Sequence, residues 1–62
     1  MSSAEDSLRR AEELLGRLEQ TRARLESTED AEAAIDILGE LAEIAKQVEV
    51  ELEQARREAG EA

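Results

Sequence analysis

Acidic side chains are the most abundant groups in this 62-residue chain that could do chemistry, with 14 Glu and 3 Asp. Glu40 and Glu43 are three residues apart, and Glu49, Glu51 and Glu53 follow in one short segment. Carboxylates grouped in this way can bind a divalent metal or act as general acid and base. Di-iron helical bundles, however, combine Glu with His at Glu-x-x-His spacing, and the chain has no His. We therefore interpret these carboxylates as a solvated helix face and predict no metal ligand and no cofactor.

Hydroxyl nucleophiles are the second candidates, and they lack a base. A Ser or Thr nucleophile needs an adjacent group to take its proton, and the chain offers no His and a single lysine, Lys46. The absence of Cys excludes thiol nucleophiles, disulfides and thiolate zinc sites. Gly16, Gly39 and Gly60 are too far apart to form a phosphate-binding loop. We predict that the chain has no catalytic residue of its own.

Composition and charge narrow the possible partners. A net charge of −9 argues against direct binding to nucleic acid phosphates or to anionic lipid, which both need clustered Lys and Arg. No apolar stretch is long enough to span a membrane, and the first residues do not resemble a signal peptide, so we expect a soluble cytoplasmic protein. Eight Leu, three Ile and two Val, with no aromatic residue, make a thin core. A chain this short then needs oligomerisation or a larger partner for stability.

Apolar residues recur at alternating spacings of three and four in two series, which is the pattern of helices in coiled coils. Only Arg22 interrupts the first series with a polar residue, and no polar residue interrupts the second. The sequence therefore predicts an all-α, antiparallel two-helix hairpin that resembles a coiled coil and self-associates into a helical bundle. The predicted contact between the helices comprises, in the first, Leu8, Ala11, Leu15, Leu18 and Leu25 and, in the second, Ala31, Ala34, Leu38, Leu41, Ala45, Val48, Leu52, Ala55 and Ala59.

The two series are out of phase between Leu25 and Ala31, which indicates a break in the helix. Ser27 and Asp30 have the spacing of an N-terminal capping box, so Ser27, Thr28 and Asp30 are predicted as cap residues. The single domain, residues 1–62, then has a first helix over about 4–26, a turn over about 27–30, a second helix over about 28–59, and Gly60 as its C-cap. Because the turn contains neither Gly nor Pro, one uninterrupted helix is the alternative.

The second predicted helix has an apolar arc that one antiparallel neighbour cannot cover, because Ile35 and Ala42 border its series on one side and Ile37 and Ile44 on the other. We expect Ile37 and Ile44 to bind a partner more than they contact the first helix. This half of the chain is also the more acidic, which favours a basic partner. The predicted partner or oligomer interface comprises Ile35, Ile37, Leu38, Leu41, Ile44, Ala45, Val48 and Leu52.

Gly16 and Gly39 interrupt helices that are otherwise rich in good helix formers. They lie on the predicted outer faces, where a glycine weakens a helix by roughly 1 kcal/mol relative to alanine. Two interpretations stay open. The glycines are neutral substitutions that the helices tolerate, or they mark places where a second helix approaches closely.

Two segments of the chain resemble the small-subunit family of bacterial exodeoxyribonuclease VII. Residues 15–27, LGRLEQTRARLES, are similar to the family's L-x-x-L-E-x-I-V-x-x-L-E-S/G run, with Thr21-Arg22 at the Ile-Val pair. Residues 44–55, IAKQVEVELEQA, are similar to the family's last segment, in which a Leu-Ala pair precedes Leu-x-x-Ala. The turn between them is one residue shorter than the family's and lacks its Gly.

This resemblance implies a non-catalytic accessory subunit, an acidic helical hairpin that binds a large catalytic subunit. The large subunit would bind single-stranded DNA and hydrolyse it, so that any enzymatic activity belongs to the complex and not to this chain. Two alternatives come from other classes: a stand-alone structural hairpin that forms a homo-oligomeric four-helix bundle, and an acidic mimic of DNA that blocks a nuclease or DNA-binding protein.

Overall fold

The computed structural model describes residues 3–60 and shows two antiparallel α-helices, α1 (Ser3–Glu26) and α2 (Ala31–Gly60). The predicted all-α hairpin is confirmed. The Cα atoms span 49 × 15 × 10 Å, so the molecule is a flat slab one helix thick and two helices wide. It therefore has two broad faces.

Local charge pairs support both helices along their exposed sides. In α1, Arg22 donates hydrogen bonds to Glu19 and to Glu26, one turn before and one turn after it. In α2, Arg56 pairs with Glu53 at 2.9 Å. Pairs at these spacings each stabilise a helix by roughly 0.2–0.5 kcal/mol, so they add to the good helix propensity of the Ala, Leu, Glu and Arg residues that fill both elements.

The turn ends α1 with hydroxyl groups instead of a glycine. The Ser27 Oγ and the Thr28 Oγ1 both donate to the backbone carbonyl of Arg24, at 3.1 and 2.6 Å. Asp30 then begins α2: its Oδ2 accepts from the Ala33 backbone N–H at 3.3 Å, which is the N-cap interaction. Within residues 3–60 no backbone has a positive φ, so this turn forms without the glycine that the family pattern contains.

These contacts correct the predicted caps and the predicted start of the second helix. Ser27 and Thr28 do not cap α2; their hydroxyls satisfy a carbonyl that α1 leaves without a partner at its C-terminus. The helix consequently begins at Ala31 and not near Thr28. At the other end α2 extends through Gly60.

The helices pack along heptad positions a and d, and nearly every residue that is not exposed falls on them. The contact contains both apolar and polar side chains. Ser7 and Thr21 are buried in it, and so are four apolar residues: Ala11, Ile37, Ile44 and Ala55. The a positions are Ala4, Ala11, Leu18 and Leu25 in α1 and Ala34, Leu41, Val48 and Ala55 in α2; the d positions are Ser7, Leu14, Thr21, Ile37, Ile44, Glu51 and Glu58.

The observed contact differs from the predicted one by a rotation of each helix about its own axis. Positions a of the predicted series, such as Leu18 and Leu41, do point between the helices. Leu8, Leu15 and Leu38 do not, because they occupy position e and remain 48%, 50% and 51% exposed. The predicted assignment of Leu8 and Leu15 to the contact between the helices is therefore wrong. The same holds for the exposed e residues of α2, which are Ala31, Leu38, Ala45, Leu52 and Ala59. The d positions take their place.

Candidate partner-binding surface

One broad face of the hairpin carries the g positions of both helices and is polar. Arg24 Nη1 of α1 lies 3.2 Å from Glu40 Oε1 of α2, and both residues are at position g. Since g meets g on this side of the contact, the e positions of both helices must share the opposite side. The g positions of the polar face are Arg10, Arg17, Arg24, Glu40, Gln47 and Gln54.

The opposite broad face carries the e positions and is apolar over most of its length. Its leucines each keep about half of their surface exposed, from 47% at Leu52 to 51% at Leu38. At the end near the turn the charged Arg22 occupies position e of α1, so the apolar part on that helix is confined to the half near the N-terminus. We name this surface the apolar face; it comprises Leu8, Leu15, Leu38, Ala45 and Leu52.

The two edges of the apolar face differ in charge. Along α1 the neighbouring b positions are all glutamate: Glu5, Glu12, Glu19 and Glu26. Along α2 the b positions are Ile35, Ala42, Glu49 and Arg56. Ile35 is 66% exposed, which is more than any leucine of the apolar face. The α1 edge is thus acidic, whereas the α2 edge is apolar near the turn and of mixed charge at the other end.

A charged pair lies across the buried contact at the end of the hairpin farthest from the turn. Arg10 Nε lies 3.1 Å from Glu51 Oε1, and Arg10 Nη2 donates to Ser7 Oγ at 3.1 Å. Oε1 of Glu51 is buried and accepts no well-aligned hydrogen bond, so the ion contact compensates its burial only in part. Polar residues at d positions weaken a coiled-coil contact while fixing its register. The apolar pattern of the sequence follows positions a and e and therefore gives no sign of this pair.

The predicted interface residues divide into two groups in the structure. Ile35, Leu38, Ala45 and Leu52 are exposed, and their assignment to an interface stays a prediction. Ile37 and Ile44 are 5% and 4% exposed within the hairpin itself. The expectation that they bind a partner in preference to α1 is therefore wrong, because they are d residues of the contact between the helices. Of the others, Leu41 and Val48 are half-buried a residues of the same contact.

Reactive groups do not converge anywhere in residues 3–60. Among these residues no group of three or more acidic, His or Cys side chains is arranged to hold a metal ion. Two depressions on the surface are shallow and open. One, of about 330 Å³, is lined by Arg17, Gly39, Glu40, Glu43, Ile44 and Gln47, and the other, of about 480 Å³, by Glu49, Val50, Leu52, Glu53 and Arg56. Neither encloses a ligand as a catalytic or small-molecule site does.

The charge network around Arg22 closes the apolar face at the turn end. The hydrogen bond from Arg22 and its positive charge lower the pKa of Glu19. In turn, the hydrogen bond and charge of Glu19, with the charge of Glu26, raise the pKa of Arg22. All three side chains are exposed, so the network orients Arg22 without removing it from water.

Both interior glycines lie on open surface. A Cβ atom built on Gly16 or Gly39 meets nothing within 4 Å, and both residues are at position f, the outermost position of their helices. Within the hairpin, therefore, neither glycine serves a close approach of α1 to α2.

Searches of protein-family models, curated protein sequences and solved structures find no match to this chain. Within the described residues no helix is long and apolar enough to cross a membrane. The resemblance to the exodeoxyribonuclease VII small subunit therefore rests on the sequence segments alone and stays a prediction.

Proposed function

We propose that this chain is a non-catalytic accessory subunit, resembling the small subunit of exodeoxyribonuclease VII, that binds a large cytoplasmic polypeptide which degrades single-stranded DNA. The observation that carries the proposal is the exposure of large apolar side chains on α2, above all Ile35 at 66% and Leu38 at 51%. These residues are adjacent on one side of α2 near the turn. Such a patch on a helical hairpin without a reactive cluster suits a protein partner.

Charge supports a basic partner surface. Residues 27–62 carry 11 acidic and 3 basic side chains, whereas residues 1–26 carry 6 and 5. Complementary charge accelerates association and selects partners more than it adds affinity. The same acidic surface repels the DNA backbone, so contact with DNA falls to the large polypeptide, and this chain contributes binding and positioning.

Co-purification tests this function directly. The tagged chain is co-expressed with each polypeptide encoded next to it, and the captured protein is assayed for degradation of single-stranded DNA. We expect capture of a nuclease by the wild-type chain, and its loss in Ile35→Asp, which places a charge in the apolar patch. Ala23→Asp, which adds the same charge at an exposed f position of α1, is the matched control and keeps the nuclease bound.

Two results would contradict the proposal. One is a folded, helical chain that captures no nuclease from any of these co-expressions. The other is nuclease activity that follows this chain itself through purification in the absence of a second polypeptide, since catalysis would then belong to its own residues.

A further inference from the structure

The apolar face is too large and too continuous for a side of the hairpin that stays in water. It runs along one broad side of a slab whose Cα extents are 49 and 15 Å. The whole broad side, with the apolar face along its middle, covers roughly 700 Å² per molecule, so two such sides in contact bury about 1,500 Å², which is the size of a standard specific protein interface. The area is therefore sufficient for one further hairpin to cover the apolar face.

The apolar face holds as many leucines as the hairpin's own contact, and the four leucines of that contact, Leu14, Leu18, Leu25 and Leu41, are themselves only partly buried. The fully buried apolar residues between the helices are two alanines, Ala11 and Ala55, and two isoleucines. Four leucines, by contrast, lie about half exposed on the apolar face. A two-helix unit with so little buried in its own contact is only marginally stable, and covering these leucines supplies the missing burial.

We propose that, in the absence of any other polypeptide, a second copy of this chain covers the apolar face, forming a dimeric four-helix bundle. The inference is independent of the proposed function, because it concerns the chain alone. It leaves the buried Ile37 and Ile44 out of the self-association surface and keeps Leu38, Ala45 and Leu52, which the sequence pattern also assigned to an interface.

The charge of the two edges determines how the copies are arranged. A two-fold axis perpendicular to the helices would lay α1 against α1 of the partner and bring two rows of glutamate together, with Glu12 of one copy near Glu19 of the other. A two-fold axis parallel to the helices lays α1 against α2 of the partner instead. The acidic edge then meets the edge that carries Ile35, Ala42, Glu49 and Arg56.

The second arrangement is the more favourable one. Arg10 faces Glu51 and Arg24 faces Glu40 across the hairpin, so Glu5 lies level with the region of Arg56. With the axis parallel to the helices, Glu5 of one copy therefore lies beside Arg56 of the other, and only Glu12 meets a like charge, at Glu49.

Sedimentation equilibrium of the purified chain across the micromolar range tests the proposal. We expect the mass of two chains for the wild type. The double variant Leu15→Glu, Leu52→Glu places two charges in the interface and weakens the dimer roughly a hundredfold or more. Val50→Glu, on the outer side of α2 and 59% exposed, is the matched control and leaves the dissociation constant within about threefold.

A cross-linking experiment tests the arrangement and does not depend on the stability of those variants. The chain has no cysteine, so Leu8→Cys and Leu52→Cys are prepared separately, mixed and oxidised. With α1 against α2 of the partner, the mixed disulfide exceeds both symmetric products. A wild-type chain that is helical and monomeric, or a Leu15→Glu, Leu52→Glu variant that dimerises as the wild type does, would overturn the proposal. A mixed disulfide that does not exceed the symmetric products would overturn the arrangement, because α1 packed against α1 of the partner would hold these positions too far apart to cross-link.

Discussion

Arg10 Nε lies 3.1 Å from Oε1 of Glu51, and this pair joins the two helices inside an otherwise largely apolar contact. The carboxylate is the more enclosed partner, since the Glu51 side chain is 20% exposed and the Arg10 side chain 49%. Removing either partner therefore has unequal consequences: the arginine can turn into water, whereas the carboxylate stays in the contact.

We expect Arg10→Ala to destabilise the hairpin by about 1–3 kcal/mol, because it leaves the buried carboxylate without a partner. Glu51→Leu has the opposite effect and stabilises it by about 1–3 kcal/mol, because a leucine at position d buries apolar surface while Arg10 moves into solvent. Urea unfolding followed by circular dichroism measures both. Arg17→Ala, at the next g position of α1, is the control and changes stability little. Destabilisation by Glu51→Leu would show that the ion pair contributes more than its burial costs.

The buried isoleucines identify the true contact between the helices. Ile44→Ala leaves a cavity at a position 4% exposed and should lower the free energy of unfolding by about 2–4 kcal/mol. Val50→Ala, which removes a side chain 59% exposed on the same helix, should lower it by less than about 0.5 kcal/mol. Thermal unfolding of the two variants at equal concentration checks this difference. Equal effects would mean that α2 packs through another side.

The hairpin itself could be predicted from the sequence, whereas the rotation of each helix about its own axis could not. In each helix the apolar residues cover positions a, d and e, so two contacts fit the spacing of three and four equally well. The series through Leu15 and Leu38 has fewer polar interruptions than the one through Thr21 and Glu51, and the pattern favoured it for that reason. Hydrophobic periodicity alone does not decide between such neighbouring stripes.

The polar side chains at position d can be buried between the helices because of local hydrogen bonds, and the hydrophobic pattern does not reveal those bonds. The Thr21 Oγ1 donates to the Arg17 carbonyl at 2.8 Å within its own helix, and the Ser7 Oγ accepts from Arg10. Because these hydroxyls are satisfied, burying them costs little. The contact through positions a and d also brings Arg24 and Glu40 together on the polar face. Because the helices pack through positions a and d, the leucines at position e stay exposed. The sequence pattern therefore predicts only part of the candidate surface.

The N-cap of α2 contributes to stability through one side chain. Asp30→Ala removes the acceptor of the Ala33 N–H, and we expect a loss of about 1 kcal/mol. Asp30→Asn keeps an oxygen in place and should restore most of it, which separates capping from charge. The midpoint of urea unfolding gives both values. A loss that Asp30→Asn does not recover would assign the effect to the carboxylate charge at the helix N-terminus.

The pKa of Glu19 should respond to Arg22 alone. The hydrogen bond and charge of Arg22 lower this pKa, so the interaction stabilises the fold above the usual glutamate pKa and is lost as the pH falls through the lowered one. Carboxyl NMR titration of the wild type and of Arg22→Gln measures the change, and we expect the pKa to rise in the variant. Arg9→Gln is the control and leaves the Glu19 titration unchanged. An unaltered pKa in Arg22→Gln would exclude the pairing in solution.

Gly39→Ala and Gly16→Ala should each stabilise the hairpin by about 1 kcal/mol, because alanine loses less conformational freedom in a helix. An added Cβ meets nothing within 4 Å at either position, so no contact opposes this gain. Position f also faces away from the apolar face, and the dimer mass should therefore be unchanged. Urea unfolding and sedimentation equilibrium are measured on the same samples. If Gly39→Ala dissociates the dimer instead, a helix of the second copy lies against the outer side of α2, and the glycine is there to admit it.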